Sequence, residues 1–195
     1  MLDKRVNYIV SGLERSGTSL LMQILNEGKI PISYDNKRPP DQFNPKGYFE
    51  LEGGKIINKI ANKNFSFDKY TGKFIKITSY GIKFLPPGKY KILYSERNYE
   101  EIVESMEKMT GKVDSNKKET MENIEKLNRL IKKEMKNRID INFITINYND
   151  TILNPEKNIK KILDFLNLPK DNIENMVNAV DLELYNPIKD KTVLI

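Results

Sequence analysis

The stretch Val10-Ser11-Gly12-Leu13-Glu14-Arg15-Ser16-Gly17-Thr18-Ser19 decides how this chain folds. Before it stands a short apolar run, Arg5 to Val10, in which Val6, Tyr8, Ile9 and Val10 read as a mostly buried strand. After it, Leu20, Leu21, Ile24 and Leu25 recur at helical spacing from about Gly17 to Glu27, and Gly28 is a helix stop. Gly12 and Gly17 have the G-x-x-x-x-G spacing of a phosphate-binding loop. Glycines at these places let the backbone turn tightly, so that successive N–H groups converge on an anion at a helix N-terminus. Thr18 and Ser19 add hydroxyl donors in the first turn. An ATP or GTP enzyme carries Lys directly after the second glycine, where its charge serves the terminal phosphates. Thr18 holds that place here, and the cation within the loop is Arg15. The loop reads as built for an anion of a different shape.

Outward from the loop, strands and helices alternate. A polar, Pro-containing stretch spans Pro31 to Gly47, and a helix is expected over Leu51 to Lys63. Lys73 to Thr78 reads as a second strand, Pro86-Pro87-Gly88 as a turn, and Tyr90 to Ser95 as a third strand. A helix is expected from Tyr99 to about Met109, then a mobile loop over 111–117. A long helix follows from about Lys118 to Asn137, with Met121, Ile124, Leu127, Ile131 and Met135 as its apolar stripe. Ile141 to Tyr148 reads as a fourth strand. Asn154 is expected to cap a helix over Pro155 to Leu166, with Pro at the first helical position, and a short helix spans Asp171 to Val180. This alternation predicts an α/β fold with a mostly parallel central sheet flanked by helices. Such sheets bind ligands at the carboxyl ends of their strands.

Composition removes whole classes of chemistry. The chain of 195 residues, read as one domain over 1–195, has no Cys, no His and no Trp. Disulfides, Fe–S clusters and thiol nucleophiles are excluded, and without His or Cys a structural zinc site has no ligands of its usual kind. Ser-His-Asp triads and His bases are excluded as well. Acid–base work falls to Asp, Glu, Lys or Tyr. The excess of 33 Lys+Arg over 27 Asp+Glu gives a net charge of +6, which suits an anionic partner such as a phosphorylated small molecule. Nucleic acid is not expected: the long helix mixes both signs on its polar face, and the aromatics are scattered singly. No window has the length of a membrane span, and Met1-Leu2-Asp3-Lys4-Arg5 does not open a signal peptide, so a cytoplasmic protein without membrane insertion is expected.

A second constellation lies far down the chain. The third strand closes in Ser95-Glu96-Arg97-Asn98, and Ser105 follows on the next helix. Arg97 at a strand's carboxyl end faces the ligand crevice, and Ser105, about two turns into the helix, lies on the side that can turn back toward it. Arginine suits a terminal phosphate because its fork binds two oxygens at once.

The segment Arg15-Ser16-Gly17-Thr18-Ser19 after an apolar strand resembles the 5′-phosphosulfate loop of the sulfotransferases that use 3′-phosphoadenosine-5′-phosphosulfate (PAPS). Arg97 and Ser105 match the Arg and Ser that hold the nucleotide's 3′-phosphate in that family. Pro40 to Glu50, Asn147-Tyr148-Asn149-Asp150, Asn154-Pro155-Glu156 and Ile162 to Leu166 are similar to segments of small bacterial and archaeal members, so the likeness runs over roughly residues 6–186. It implies a three-layer P-loop-type fold and a nucleotide site of Gly12, Arg15, Ser16, Gly17, Thr18, Ser19, Arg97 and Ser105. Two features depart from the family pattern. Glu14 stands where Pro is usual, and the tail Leu184-Tyr185-Asn186-Pro187-Ile188-Lys189 lacks the basic Arg-Lys-Gly that also holds the 3′-phosphate.

The implied reaction moves a sulfonate from PAPS to a hydroxyl or amine acceptor, releases adenosine 3′,5′-bisphosphate (PAP) and needs no metal. Arg15 is the candidate for the charge that builds on the bridging oxygen. Members of that family use His or Glu as base, so in a chain without His the resemblance implies a carboxylate: Glu50 first, Asp41 second, Glu14 third, with Lys46 and Lys76 as further cations for the sulfonate. Two other readings stand beside this one: a nucleoside or nucleotide kinase with an atypical phosphate loop, and a nucleotide-binding domain without turnover.

Overall fold

The structure, a computed structural model, describes residues 1–181. The expected basic-tail position, Leu184 to Lys189, lies outside the described residues. The strands are β1 (Asn7–Gly12), β2 (Phe74–Lys76), β3 (Tyr90–Glu96) and β4 (Ile141–Asn147). The helices are α1 (Thr18–Glu27), α2 (Ile56–Ala61), α3 (Tyr99–Thr110), α4 (Lys117–Asn137), α5 (Tyr148–Leu153), α6 (Pro155–Leu166) and α7 (Ile173–Asn178). All strand pairs are parallel, in the order β2-β1-β3-β4. The α/β reading with a parallel sheet between helices is therefore what the chain forms.

Side-chain alternation along the strands explains the three layers. Tyr8, Val10, Phe74, Leu93 and Ile146 face one way and pack on Leu21, Ile24 and Leu25 of α1, on Ile159, Ile162 and Leu163 of α6, and on Met176 of α7. Ile9, Ile75, Ile92 and Tyr94 face the other way, onto Ile56 and Ile60 of α2 and Ile131 and Met135 of α4. Burying an aliphatic side chain of this size contributes about 1.5–3 kcal/mol. The chain leaves β1 for β2 on one side and then crosses to β3 on the other. The strand order thus reverses at β1, and the crevice at its carboxyl end is where such sheets take ligands.

Several elements differ from expectation. The single helix over 51–63 is a 3-10 turn, Glu52–Gly54, followed by the short α2, because Gly53 and Gly54 take positive φ (60° and 86°) and interrupt the first turn. β1 begins at Asn7 and runs to Gly12, two residues later than expected at each end: Arg5 is engaged by Asp3 at 2.9 Å before the strand, and Ser11 and Gly12 continue the ladder opposite Tyr94 and Ser95. The fourth strand stops at Asn147, whose side chain accepts from the Asp150 N–H at 2.9 Å and caps α5. Asn154 stands at the N-cap of α6 but makes no side-chain cap bond; Pro155 sets that helix start. The connection after α3 is held by Glu107, which accepts from the Asp114 N–H at 2.7 Å and pairs with Lys117 at 2.8 Å.

The carboxyl end of β3 is tied to α4 by a buried polar knot. The Tyr94 hydroxyl donates to Asn128 Oδ1 at 2.7 Å, and Asn128 Nδ2 donates to Glu96 at 3.0 Å, which also pairs with Lys132 at 2.8 Å. Burial pushes the Tyr94 hydroxyl's pKa up, so it remains a donor throughout the working pH range. Asn128→Ala takes away its acceptor and is expected to cost about 1–3 kcal/mol. Urea unfolding with an unchanged slope checks this, and a loss below about 0.5 kcal/mol would mean the knot is dispensable.

Candidate active site

The phosphate loop is closed by contacts that need glycine. A Cβ on Gly12 would lie 2.5 Å from Ser16 Oγ and 2.6 Å from the Ser95 carbonyl, so β1, β3 and the loop meet there without a side chain between them. Gly17 is the N-cap of α1 with φ 100°, and a Cβ there would lie 2.2 Å from the ring of Tyr148. Ser16 Oγ donates to the Leu13 carbonyl at 2.7 Å, and Ser95 Oγ donates to the Ser16 carbonyl at 2.6 Å. The Ser16 hydroxyl therefore braces the loop from inside. Among the described residues no side chain caps α1, and its first turn carries no acidic residue, which leaves the helix start suited to an anion.

Arg97 and Ser105 both reach the loop through Arg15. Arg97 Nη1 donates to the Arg15 carbonyl at 3.3 Å, and Arg15 Nε donates to Ser105 Oγ at 2.9 Å. Arg15 takes φ 64°, and its guanidinium crosses the cleft to α3 and to the Phe43 carbonyl at 3.4 Å. Arg97 is fixed from behind: Nε donates to Glu101 at 2.7 Å, Glu101 accepts from Asn149 at 2.8 Å, and the guanidinium lies 4.5 Å over the Tyr148 ring.

The other side of the cleft is organised by Lys76, at the end of β2. Only 4% of its side chain is exposed. Its ammonium pairs with Glu50 Oε1 at 3.0 Å, donates to Ser19 Oγ at 3.2 Å, and donates to the Tyr48 carbonyl. Burial lowers its pKa from the ordinary lysine value, opposed by the charge and hydrogen bond of Glu50. Arg38 pairs with Glu50 Oε2 at 3.1 Å and lies 3.5 Å over the Tyr48 ring. Asn44 Nδ2 also donates to Ser19 Oγ, at 2.8 Å.

These groups line one cleft of about 500 Å³, which takes in Glu14, Arg15, Gly17, Thr18, Ser19, Glu50, Lys76, Arg97, Ser105 and Tyr148. Asp41 stands outside its lining. The Asp41 carboxylate accepts from the Tyr48 hydroxyl at 2.8 and 2.9 Å and from the Phe43 and Asn44 N–H groups, and the Tyr48 bond in particular lowers its pKa. Lys46 is turned to Asp181 at 3.0 Å. Among the described residues no group of three or more Asp, Glu, His or Cys gathers as a metal site would require.

Four contributors stand out less in the sequence than in the fold. Lys76 is one lysine among many, although a lysine between Ile75 and Ile77 in a buried strand is itself a signal. Tyr148, Glu101 and Asn44 act through contacts that no local spacing announces. Gly17→Ala tests the loop's closure. The left-handed φ costs about 1–2 kcal/mol and the overlap with Tyr148 about 1–3 kcal/mol more. Thermal or urea unfolding should show both losses in Gly17→Ala against the parent, and only the first in Gly17→Ala/Tyr148→Ala against Tyr148→Ala. A single variant as stable as the parent would mean Tyr148 does not seal the loop.

The fold has solved counterparts. Retinol dehydratase in complex with androsterone and the inactive cofactor PAP aligns with TM-score 0.57 and 16% identity, over 94% of this chain and 66% of that one. Mouse sulfotransferase SULT7A1 complexed with PAP aligns with TM-score 0.53 and 16% identity, over 96% and 68%. The sulfotransferase domain of the Synechococcus PCC 7002 olefin synthase aligns with TM-score 0.52 and 13% identity, over 93% and 79%. The chain thus spans just under two thirds of the retinol dehydratase, and at these identities the likeness is one of fold. No curated protein matches the chain in sequence. The sulfotransferase domain model does match it, over residues 6–186. With nearly the whole chain covered and the phosphate loop, Arg97 and Ser105 gathered in one cleft, this chain belongs to the sulfotransferase domain family.

Proposed function

We propose that the chain acts as one domain that transfers the sulfonate of PAPS to an acceptor hydroxyl or amine. The observation that carries this reading is the meeting of two anion sites at Arg15: the loop with its uncapped helix start, and the pair Arg97 and Ser105. A nucleotide phosphorylated at both ends needs two such sites, whereas a nucleoside triphosphate needs one. The neighbours in fold include structures that hold PAP. The cytoplasm is the compartment this reading favours, and among the described residues no helix is long and apolar enough to cross a membrane.

In this reading the acceptor oxygen forms a bond to sulfur as the bond from sulfur to the phosphate oxygen breaks, and that electron pair leaves with PAP. The acceptor proton passes to Glu50, the carboxylate that lines the cleft beside Ser19 and Lys76. Lys76 is the cation bonded to Ser19, so it serves the sulfonate oxygens. Arg15 serves the bridging oxygen once its guanidinium turns from Ser105 toward the loop. Asp41 keeps Tyr48, and through it the acceptor side, in place. Turnover-free binding is the second reading, and Glu14 at the cleft favours it, since a carboxylate there opposes the anion's approach.

PAP without metal is expected to raise the melting temperature, and ATP with Mg²⁺ is not. The reverse pattern would overturn the sulfotransferase reading in favour of a kinase. Arg97→Ala should weaken PAP by tenfold or more and adenosine 5′-phosphate far less, as calorimetric titration would show. Equal losses would mean Arg97 does not hold the 3′-phosphate. Glu50→Gln should reduce PAP release in the presence of an accepted substrate by about 10²–10⁴-fold while PAP binding survives. Undiminished turnover would assign the base elsewhere.

A further inference from the structure

The wall of the cleft facing the phosphate loop is polar and positively charged. It is built by Arg38, Gln42, Asn44, Glu50, Lys55 and Lys76. Arg38 and Lys76 hold the two oxygens of Glu50, at 3.1 and 3.0 Å, so that carboxylate is already balanced twice over. Lys55 is exposed, and the nearby carboxylate of Glu52 is taken by Lys37 and Lys59 at 2.7 and 2.8 Å. Arg38, Lys55 and Lys76 thus stand beside Glu50 on this side, and the cleft's other carboxylate next to residues 42–46, Asp181, is taken by Lys46 at 3.0 Å. Apolar contact on the same wall comes from Phe43, Pro45, Ile57 and the ring of Tyr48, which Arg38 already covers.

Arg38 is placed to receive a ligand. Its side chain is 39% exposed, its face is spent on Tyr48, and both of its bonds to Glu50 leave from Nη1. It also lines an adjoining cavity of about 830 Å³, so its outer edge is reached from two directions. A guanidinium stacked on a ring and paired on one corner keeps its remaining donors aligned for a second anion.

We propose that the acceptor is a small hydroxy compound that carries its own anionic group, a carboxylate or a phosphate. Its hydroxyl lies at Glu50 and its anion at Arg38 and Lys55. The proposal rests on the sulfonate-transfer reading and names the substrate class of that same site. Because Arg38 Nη1 is 3.1 Å from Glu50 Oε2, the hydroxyl and the anion are only a few bonds apart, as in a hydroxy acid, a hexuronate or a sugar phosphate. The hydroxyl oxygen bonds to sulfur, its proton goes to Glu50, and PAP leaves with the electron pair. The anionic group takes no part in the bond change and serves only to orient the acceptor.

The test is calorimetric titration of the full chain saturated with PAP, using matched probes. Methyl glucuronide is compared with methyl glucoside, glycerate and glycerol 3-phosphate with glycerol, and androsterone serves as an apolar control. At least one acid is expected to bind tenfold or more tighter than its neutral partner, and Arg38→Gln should abolish most of that gain. Whether the carboxylates or the phosphate gain more tells which anion the wall prefers. Lys55→Gln, on the surface, carries the same test with a smaller loss if Arg38→Gln does not fold. Neutral probes or androsterone binding as well as the acids would overturn the proposal. Failure of PAP itself to bind would instead overturn the sulfonate-transfer reading.

Discussion

Every side of β1 is occupied. β2 and β3 hydrogen-bond to its two edges, and helices cover both faces. Its backbone can meet a ligand only where the strand ends, and the sheet's order reverses at that same point. The phosphate loop, the start of α1, and the ends of β2 and β3 are brought together by this one constraint. Gly12 permits the closest approach, with Ser95 and Ser16 against its bare α-carbon.

A second constraint follows at the end of β2. A buried ammonium is costly unless it is paired and hydrogen-bonded. Lys76 recruits Glu50, the Ser19 hydroxyl and the Tyr48 carbonyl, and Glu50 in turn recruits Arg38. The polar stretch after α1, which has no regular secondary structure over most of its length, is organised from that ammonium outward. Asp41 finishes the arrangement by receiving the Tyr48 hydroxyl. Replacing only one member of such a network leaves the others buried and unbalanced, which is why its members act as a group.

The parts legible in sequence are those set by local spacing. The loop shows in its two glycines, the strands in short apolar runs, and α4 in its stripe ending at Ile131 and Met135. Arg97 and Ser105 are legible through the family resemblance, and a strand end and a helix phase are compatible with both positions. The rest depends on contacts between distant segments. Arg38 lies in a stretch without periodicity, so nothing local distinguishes it from a surface arginine. Tyr148 reads as the end of a strand until Asn147 turns the chain into α5. The helix expected over 51–63 failed for a local reason that was visible, since Gly53 and Gly54 are both in the sequence.

The ring of Tyr148 closes over Gly17 and also supports Arg97. One residue from the last third of the chain therefore completes a site whose recognisable motif is in the first tenth. Contacts of such wide separation form late, after the entropy of closing a long loop has been overcome. During synthesis the motif emerges early, yet the pocket stays unfinished until β4 has paired with β3 and α5 has turned. A nascent chain cut short before that point has the glycines without the seat they serve, so nucleotide binding reports completion of the fold rather than emergence of the motif.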